Sequence, residues 1–163
     1  QGTIAVELDN QLNNIDEVIV SVGGGGLISG IGGYLNQVQP DTKIVACSPK
    51  NSCVMYESLN AGRILDLPSK QTLSDGTAGG VEEGSITFDI CKEIIDDFVL
   101  VTEREIASGI RTAINDDHQL IEGSAGAAIA ALFKRKKTLI GKRVIIIICG
   151  GNINSNTLHK VLS

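Results

Sequence analysis

The chain has 163 residues, 42% of them hydrophobic and 20% charged, which excludes intrinsic disorder and allows roughly 70% of the unfolded surface to be buried. Its 14 basic and 19 acidic side chains leave a net charge of −5, which argues against a nucleic acid or an anionic membrane as partner. With no Trp, 2 Tyr and 3 Phe there is little to stack on bases, whereas the 19 glycines exceed the usual ~7%.

In chain order, Ile4, Leu8 and Leu12 recur every four residues and predict an amphipathic helix over the first dozen positions. Glu17 to Val22 reads as a buried strand, Gly23 to Gly26 follow at once, and Leu27 to Val38 reads as a helix that stops near Pro40. Lys43 to Cys47 is the next strand, so this stretch is a βαβ unit with a parallel sheet. Asn51 to Ala61 reads as a helix with Gly62 as its C-cap, Leu67 to Ser85 as loop, and Ile86 to Ile95 as helix. Phe98 to Val101 is a strand. Thr102 and Glu105 then form a capping box that opens a helix over Glu103 to Leu120. Ser124 opens another helix, running through Ala125 to Leu132 into Lys134-Arg135-Lys136-Lys137, charges that suit a helix C-terminus. Val144 to Ile148 reads as a core strand before the turn Cys149-Gly150-Gly151-Asn152. The alternation predicts a layered α/β domain over residues 1–163, without internal repeat or linker.

The cysteines Cys47, Cys53, Cys91 and Cys149 form no C-x-x-C pair, and His118 and His159 are not near one in sequence, so no metal site is expected. Free thiols suggest a cytoplasmic location. The longest apolar run, Val144 to Cys149, is too short to span a bilayer, and there is no signal peptide. A start at Gln1 rather than Met suggests processing, or a piece cut from something longer.

The four consecutive glycines are the strongest chemical signal. A strand feeding glycines into a helix presents bare backbone N–H groups and the positive end of the helix dipole, which suits a phosphate. A tight turn needs one or two glycines, and four in a row cost backbone entropy at each position. The Walker pattern fails because Leu27-Ile28-Ser29 follows the glycines. The dinucleotide fingerprint fails at Ser29, and the next strand ends in Cys47-Ser48 with no acid to hold a ribose. A mononucleotide or a phosphorylated cofactor remains. On residue type alone, Cys149 reads as a small buried hydrophobe, Glu122 as a favourable charge at a helix N-terminus, and Asp75-Gly76 as a turn.

The segment Ser21-Val22-Gly23-Gly24-Gly25-Gly26-Leu27-Ile28-Ser29-Gly30 resembles the phosphate loop of pyridoxal-phosphate enzymes of the tryptophan-synthase-β type. The chain is most similar there to the serine/threonine dehydratases and serine racemases. Gln1-Gly2-Thr3-Ile4-Ala5, Ser74-Asp75-Gly76, Leu120-Ile121-Glu122-Gly123-Ser124-Ala125-Gly126 and Cys149-Gly150-Gly151-Asn152 match in the same order. The resemblance implies the C-terminal half of the large domain of the fold type II enzymes, an incomplete three-layer α/β fold with a mostly parallel sheet and helices on both faces. It implies pyridoxal 5'-phosphate as cofactor, with Gly23, Gly24, Gly25, Gly26 and Leu27 at its phosphate. Cys149 is implied to face the pyridine nitrogen, Gly76 to lie beside the cofactor, and Glu122 to lie close to the active site. A neutral thiol does not keep the ring nitrogen protonated as an aspartate does, which weakens the electron sink and suits β-elimination.

The same resemblance identifies what has no counterpart here. The family's lysine block, of Ser-x-Lys-x-Arg-Gly type, is not found, nor are the asparagine-rich loop and the small domain that carries it. Lys50, Lys70 and Lys92 match no part of that block, so no catalytic residue is expected in this chain and it is expected to be inactive alone. Metal-binding relatives carry two carboxylates after the second strand. Ser48 and Val54 stand at those positions, so no metal is expected. The implied function is the cofactor-binding part of an ammonia-lyase that converts a small hydroxy-amino acid, serine or threonine, to a 2-oxo acid and ammonia. Its parent is expected to be a homodimer that binds neither nucleic acid nor membrane, and racemase activity stays open. Two other readings compete: a nucleotide-binding Rossmann-like module, which explains the glycines but not Cys149 or Glu122, and a non-catalytic scaffold domain.

Overall fold

A computed structural model describes all residues, Gln1–Ser163. The first half contains α1 (Thr3–Gln11), β1 (Glu17–Ser21), α2 (Gly26–Val38), β2 (Lys43–Pro49), α3 (Val54–Ala61) and a 3₁₀ turn at Asp75–Thr77. The second contains α4 (Ile86–Ile94), β3 (Asp97–Val101), α5 (Glu103–Asp116), α6 (Gly123–Arg135), β4 (Val144–Ile146) and α7 (Ser155–Leu162). The strands form one sheet in the order β3-β2-β1-β4, every pair parallel.

Strand alternation distributes the core between two faces. Val18, Val20, Ile44 and Ala46 pack with Ala5 of α1, Ile28, Ile31 and Leu35 of α2, Met55 of α3 and Phe88 of α4. Their neighbours Ile19, Val45 and Cys47 pack on the opposite side with Ile106 and Ile110 of α5, the alanines of α6 and Val161 of α7. The result is the three-layer α/β fold with helices on both faces that the sequence predicts. From β1 the chain winds outward to β2 and β3, then returns to place β4 on the other side of β1. That reversal is where ligands bind in open parallel sheets, beyond the carboxyl ends of the strands.

Several boundaries differ from expectation, among them the end of β2, which runs on to Pro49. The segment Val144 to Ile148 is not a five-residue core strand: β4 keeps three residues, and these are half-buried because β4 lies at the sheet edge, paired with β1 alone. Helix α5 stops at Asp116 rather than Leu120. Two acids at its negative end disfavour extension, His118 takes a left-handed φ of 56°, and the Gln119 N–H returns to the Ala113 carbonyl. Helix α3 starts at Val54 rather than Asn51. Helix α6 starts at Gly123 with Glu122 as N-cap, which places Ser124 inside its first turn. Helix α7 was not expected. Asn154 caps it, its side chain accepting from the Thr157 N–H at 2.8 Å.

Candidate functional site

A cavity of about 260 Å³ lies beyond the carboxyl end of β1. Gly23, Gly24, Gly25, Gly26, Leu27, Gly76, Glu122 and Cys149 all line it, together with Ser21, Thr77 and Ser124, which the sequence reading did not single out. Thr77 and Ser124 sit inside or next to matching blocks, but nothing in the sequence says which small polar residue of a block faces a ligand. A larger groove, of about 770 Å³ beside α4, is lined by Asp66, Glu83 and Asp89 with one Arg63, a mainly acidic wall unsuited to an anion.

The four glycines separate into two kinds. A Cβ on Gly23 would lie 2.8 Å from the Thr77 carbonyl oxygen, and Gly25 has a left-handed φ of 86° with Cys91 Sγ and Met55 Cε 2.9 Å from a Cβ. Packing and conformation therefore demand these two. A Cβ on Gly24 or Gly26 would meet nothing within 4 Å, and neither has a positive φ. The fold does not require glycine at these positions, and their bare backbone leaves a cradle that a side chain would fill.

The backbone donors match that cradle. Before the loop, the Val22 N–H donates to the Cys47 carbonyl, and after it the Ser29 N–H donates to the Gly25 carbonyl. Between them, none of the amides of residues 23–28 donates to an acceptor in the chain. No side chain caps α2 either. Helix α4 holds the loop from the far side: the Thr87 hydroxyl donates to the Gly24 carbonyl at 2.6 Å and lies 2.8 Å from the Ser85 hydroxyl. At the end of β2, the Ser48 hydroxyl donates to the Val22 carbonyl at 2.6 Å. The free amides and the helix dipole together favour a compact anion.

Glu122 and Cys149 form the opposite wall. The Glu122 N–H donates to the Gly150 carbonyl at 3.0 Å, and its carboxylate accepts from the Asn152 N–H at 3.2 Å. A Cβ on Gly150 would lie 2.7 Å from that carboxylate, which accounts for the glycine after Cys149. The Cys149 sulfur lies 3.4 Å from the Ser21 hydroxyl. Desolvation pushes the Cys149 thiol up, the Ser21 hydrogen bond opposes this, and the Glu122 charge pushes it up further. The group is a neutral thiol at pH 7. Gly76 brings the two walls together, since a Cβ there would lie 2.8 Å from Ser124 Oγ and 3.3 Å from Glu122 Oε1. No lysine lines the cavity, and Lys70 and Lys92 line other clefts.

The family described as pyridoxal-phosphate dependent enzyme matches residues 1–150. The chain is 39% identical over 162 residues to a biosynthetic L-threonine dehydratase of Halalkalibacterium halodurans, covering 99% of this chain and 39% of that protein. It is 36% identical over 163 residues to an L-threonine ammonia-lyase of Thermotoga maritima, covering 100% of this chain and 40% of that protein. In structure it superposes on the processed form of threonine deaminase isoform 2 from Solanum lycopersicum with a TM-score of 0.91 at 34% identity, covering 98% of this chain and 47% of that one. Maize serine racemase gives a TM-score of 0.87 at 31% identity, covering 99% and 51%. The chain spans about 40% of the length of the curated relatives it matches.

Proposed function

The chain belongs to the family of pyridoxal-phosphate dependent enzymes, and on that premise we propose that its cavity grips the phosphate of pyridoxal 5'-phosphate through the amides of residues 23–28. The observation that carries this reading is the row of uncommitted amides beside two glycines that the fold leaves open. When bound, the cofactor supplies an electron sink for bonds at the substrate α-carbon. Gly23, Gly24, Gly25, Gly26 and Leu27 would hold the phosphate, and Gly76 would lie beside the cofactor. Cys149 would face the pyridine nitrogen as a neutral thiol. It does not stabilise a ring cation as a carboxylate does, and this favours elimination over transamination. Glu122 fixes the turn that carries Cys149.

The protein that contains these residues is, in this reading, an ammonia-lyase that converts serine or threonine to a 2-oxo acid and ammonia. The threonine dehydratase and threonine ammonia-lyase relatives support that substrate class. The 163 residues form the C-terminal part of its large domain. The amine that must engage the cofactor comes from a lysine outside them, so the chain alone binds without turnover. A cytoplasmic homodimer completes the reading, the location resting on the free thiols. A nucleotide-binding module would use the same amides but leaves Cys149 and Glu122 without a role.

Titration of the chain with pyridoxal phosphate tests the proposal. Saturable binding that inorganic phosphate displaces is expected. Gly24→Ala should weaken it by about tenfold or more with no drop in melting temperature, since the added methyl meets nothing in the fold. Saturable binding of ATP or NAD where pyridoxal phosphate shows none would sink the proposal and favour the nucleotide module.

A further inference from the structure

Ser124 stands apart from every other buried serine. It is 2% exposed and its hydroxyl has no hydrogen-bond partner in the chain. The other six buried serines all have one; Ser48 reaches the Val22 carbonyl and Ser74 pairs with Thr77, each at 2.6 Å. A serine in a helix interior returns its hydroxyl to the carbonyl four residues back. In the first turn of α6 that residue is Leu120, outside the helix. A buried, unpaired hydroxyl destabilises the fold, so its persistence in a cavity wall needs an account.

The surroundings indicate what it meets. The Ser124 oxygen and the Glu122 carboxylate both face the bare Cα of Gly76, 2.8 Å and 3.3 Å from where a Cβ would stand, and all three residues line the cavity. A carboxylate at that point repels a phosphate, and the phosphate donors lie on a different element, at the start of α2. We propose that Ser124 is a ligand-binding residue, its hydroxyl donating to an oxygen of pyridoxal phosphate that lies outside the phosphate group. This rests on the reading of the cavity given above. The unmet hydroxyl weakens the empty fold and strengthens the loaded one.

The two effects have opposite signs, and a purely structural serine does not produce that pair. The test compares the wild-type chain with Ser124→Ala by thermal melting and by titration with pyridoxal phosphate and, separately, inorganic phosphate. Expected are a melting temperature at or above wild type, pyridoxal phosphate binding weaker by roughly fivefold to tenfold, and unchanged inorganic phosphate binding. A lower melting temperature, unchanged pyridoxal phosphate binding, or equal weakening of both ligands would each overturn the inference. If the wild type binds neither ligand, the reading of the cavity falls with it. If the wild type binds and Ser124→Ala matches it, only the role of Ser124 falls.

Discussion

Glu17 carries a full charge into the sheet with no exposed surface. Arg135 meets it as a fork, Nε 2.7 Å from Oε1 and Nη2 3.0 Å from Oε2, and its third nitrogen reaches Asp97. Such a pair gives little net stability, but losing one partner strands a buried charge. Arg135→Leu is therefore expected to cost about 3–5 kcal/mol in urea unfolding, and Glu17→Leu combined with Arg135→Met should recover most of it. Equal losses in the single and double variants would refute the assignment. Neither partner was legible in the sequence: Glu17 opens an aliphatic run like any exposed acid, and Arg135 sits among four basic residues that suit a helix end. Gly23 to Gly26, Leu27, Gly76, Glu122 and Cys149 were legible as a group because each belongs to a distinctive short block. Ser124 belongs to one too, but the unpaired state of its hydroxyl depends on Gly76 and the helix start, which only tertiary structure supplies.

Among the elements, α4 acts as a brace for the loop before α2. Its first turn presents Thr87 to the Gly24 carbonyl, and Cys91 one turn later packs where a Gly25 side chain would be. Thr87→Val keeps the shape but removes the donor. Inorganic phosphate binding should fall by about threefold to tenfold while Thr87→Ser retains it. Unchanged binding in Thr87→Val would show that the loop holds its conformation unaided. Local chemistry announced several elements. Thr102 and Glu105 form the expected capping box, with the Thr102 N–H donating to Glu105 Oε2 at 2.7 Å, and Gly62 ends α3 in a left-handed conformation at φ 70°. The ends of α5 and β4 were misjudged because apolar residues continue past them. Leu120 and Ile148 are about half exposed, so their hydrophobicity does not report on pairing.

For the molecule as a whole, the alternation of strand and helix signals was enough to give a layered α/β domain with parallel strands, and the family resemblance added the three layers. It did not give the strand order, since no local signal says that β4 returns to β1 rather than extending beyond β3. The two-sided core also seals in thiols. Burial pushes the Cys47 and Cys91 thiols above the ordinary value of 9.0. The unfolded chain releases these protons as pH rises through about 9 while the folded chain keeps them. Stability is therefore complete below that range and declines above it, by up to about 1.4 kcal/mol per pH unit for each thiol. Urea midpoints measured between about pH 7.5 and pH 10.5 should fall across the upper half of the range, and a flat profile would contradict this.

Because β1 lies inside the sheet and its outer neighbour β4 follows β2 and β3 in the chain, the order of synthesis bears on the site. A nascent chain can pair β1 with β2 and then β3 as each emerges, and the glycine loop takes shape with them. The opposite wall, carried by Glu122 and Cys149, is delivered only after β3 and α5, and it needs the pairing of β4 with β1, the widest sequence separation between paired strands in the sheet. A chain that has made only β1, β2 and β3 therefore carries one wall of the cavity without the other.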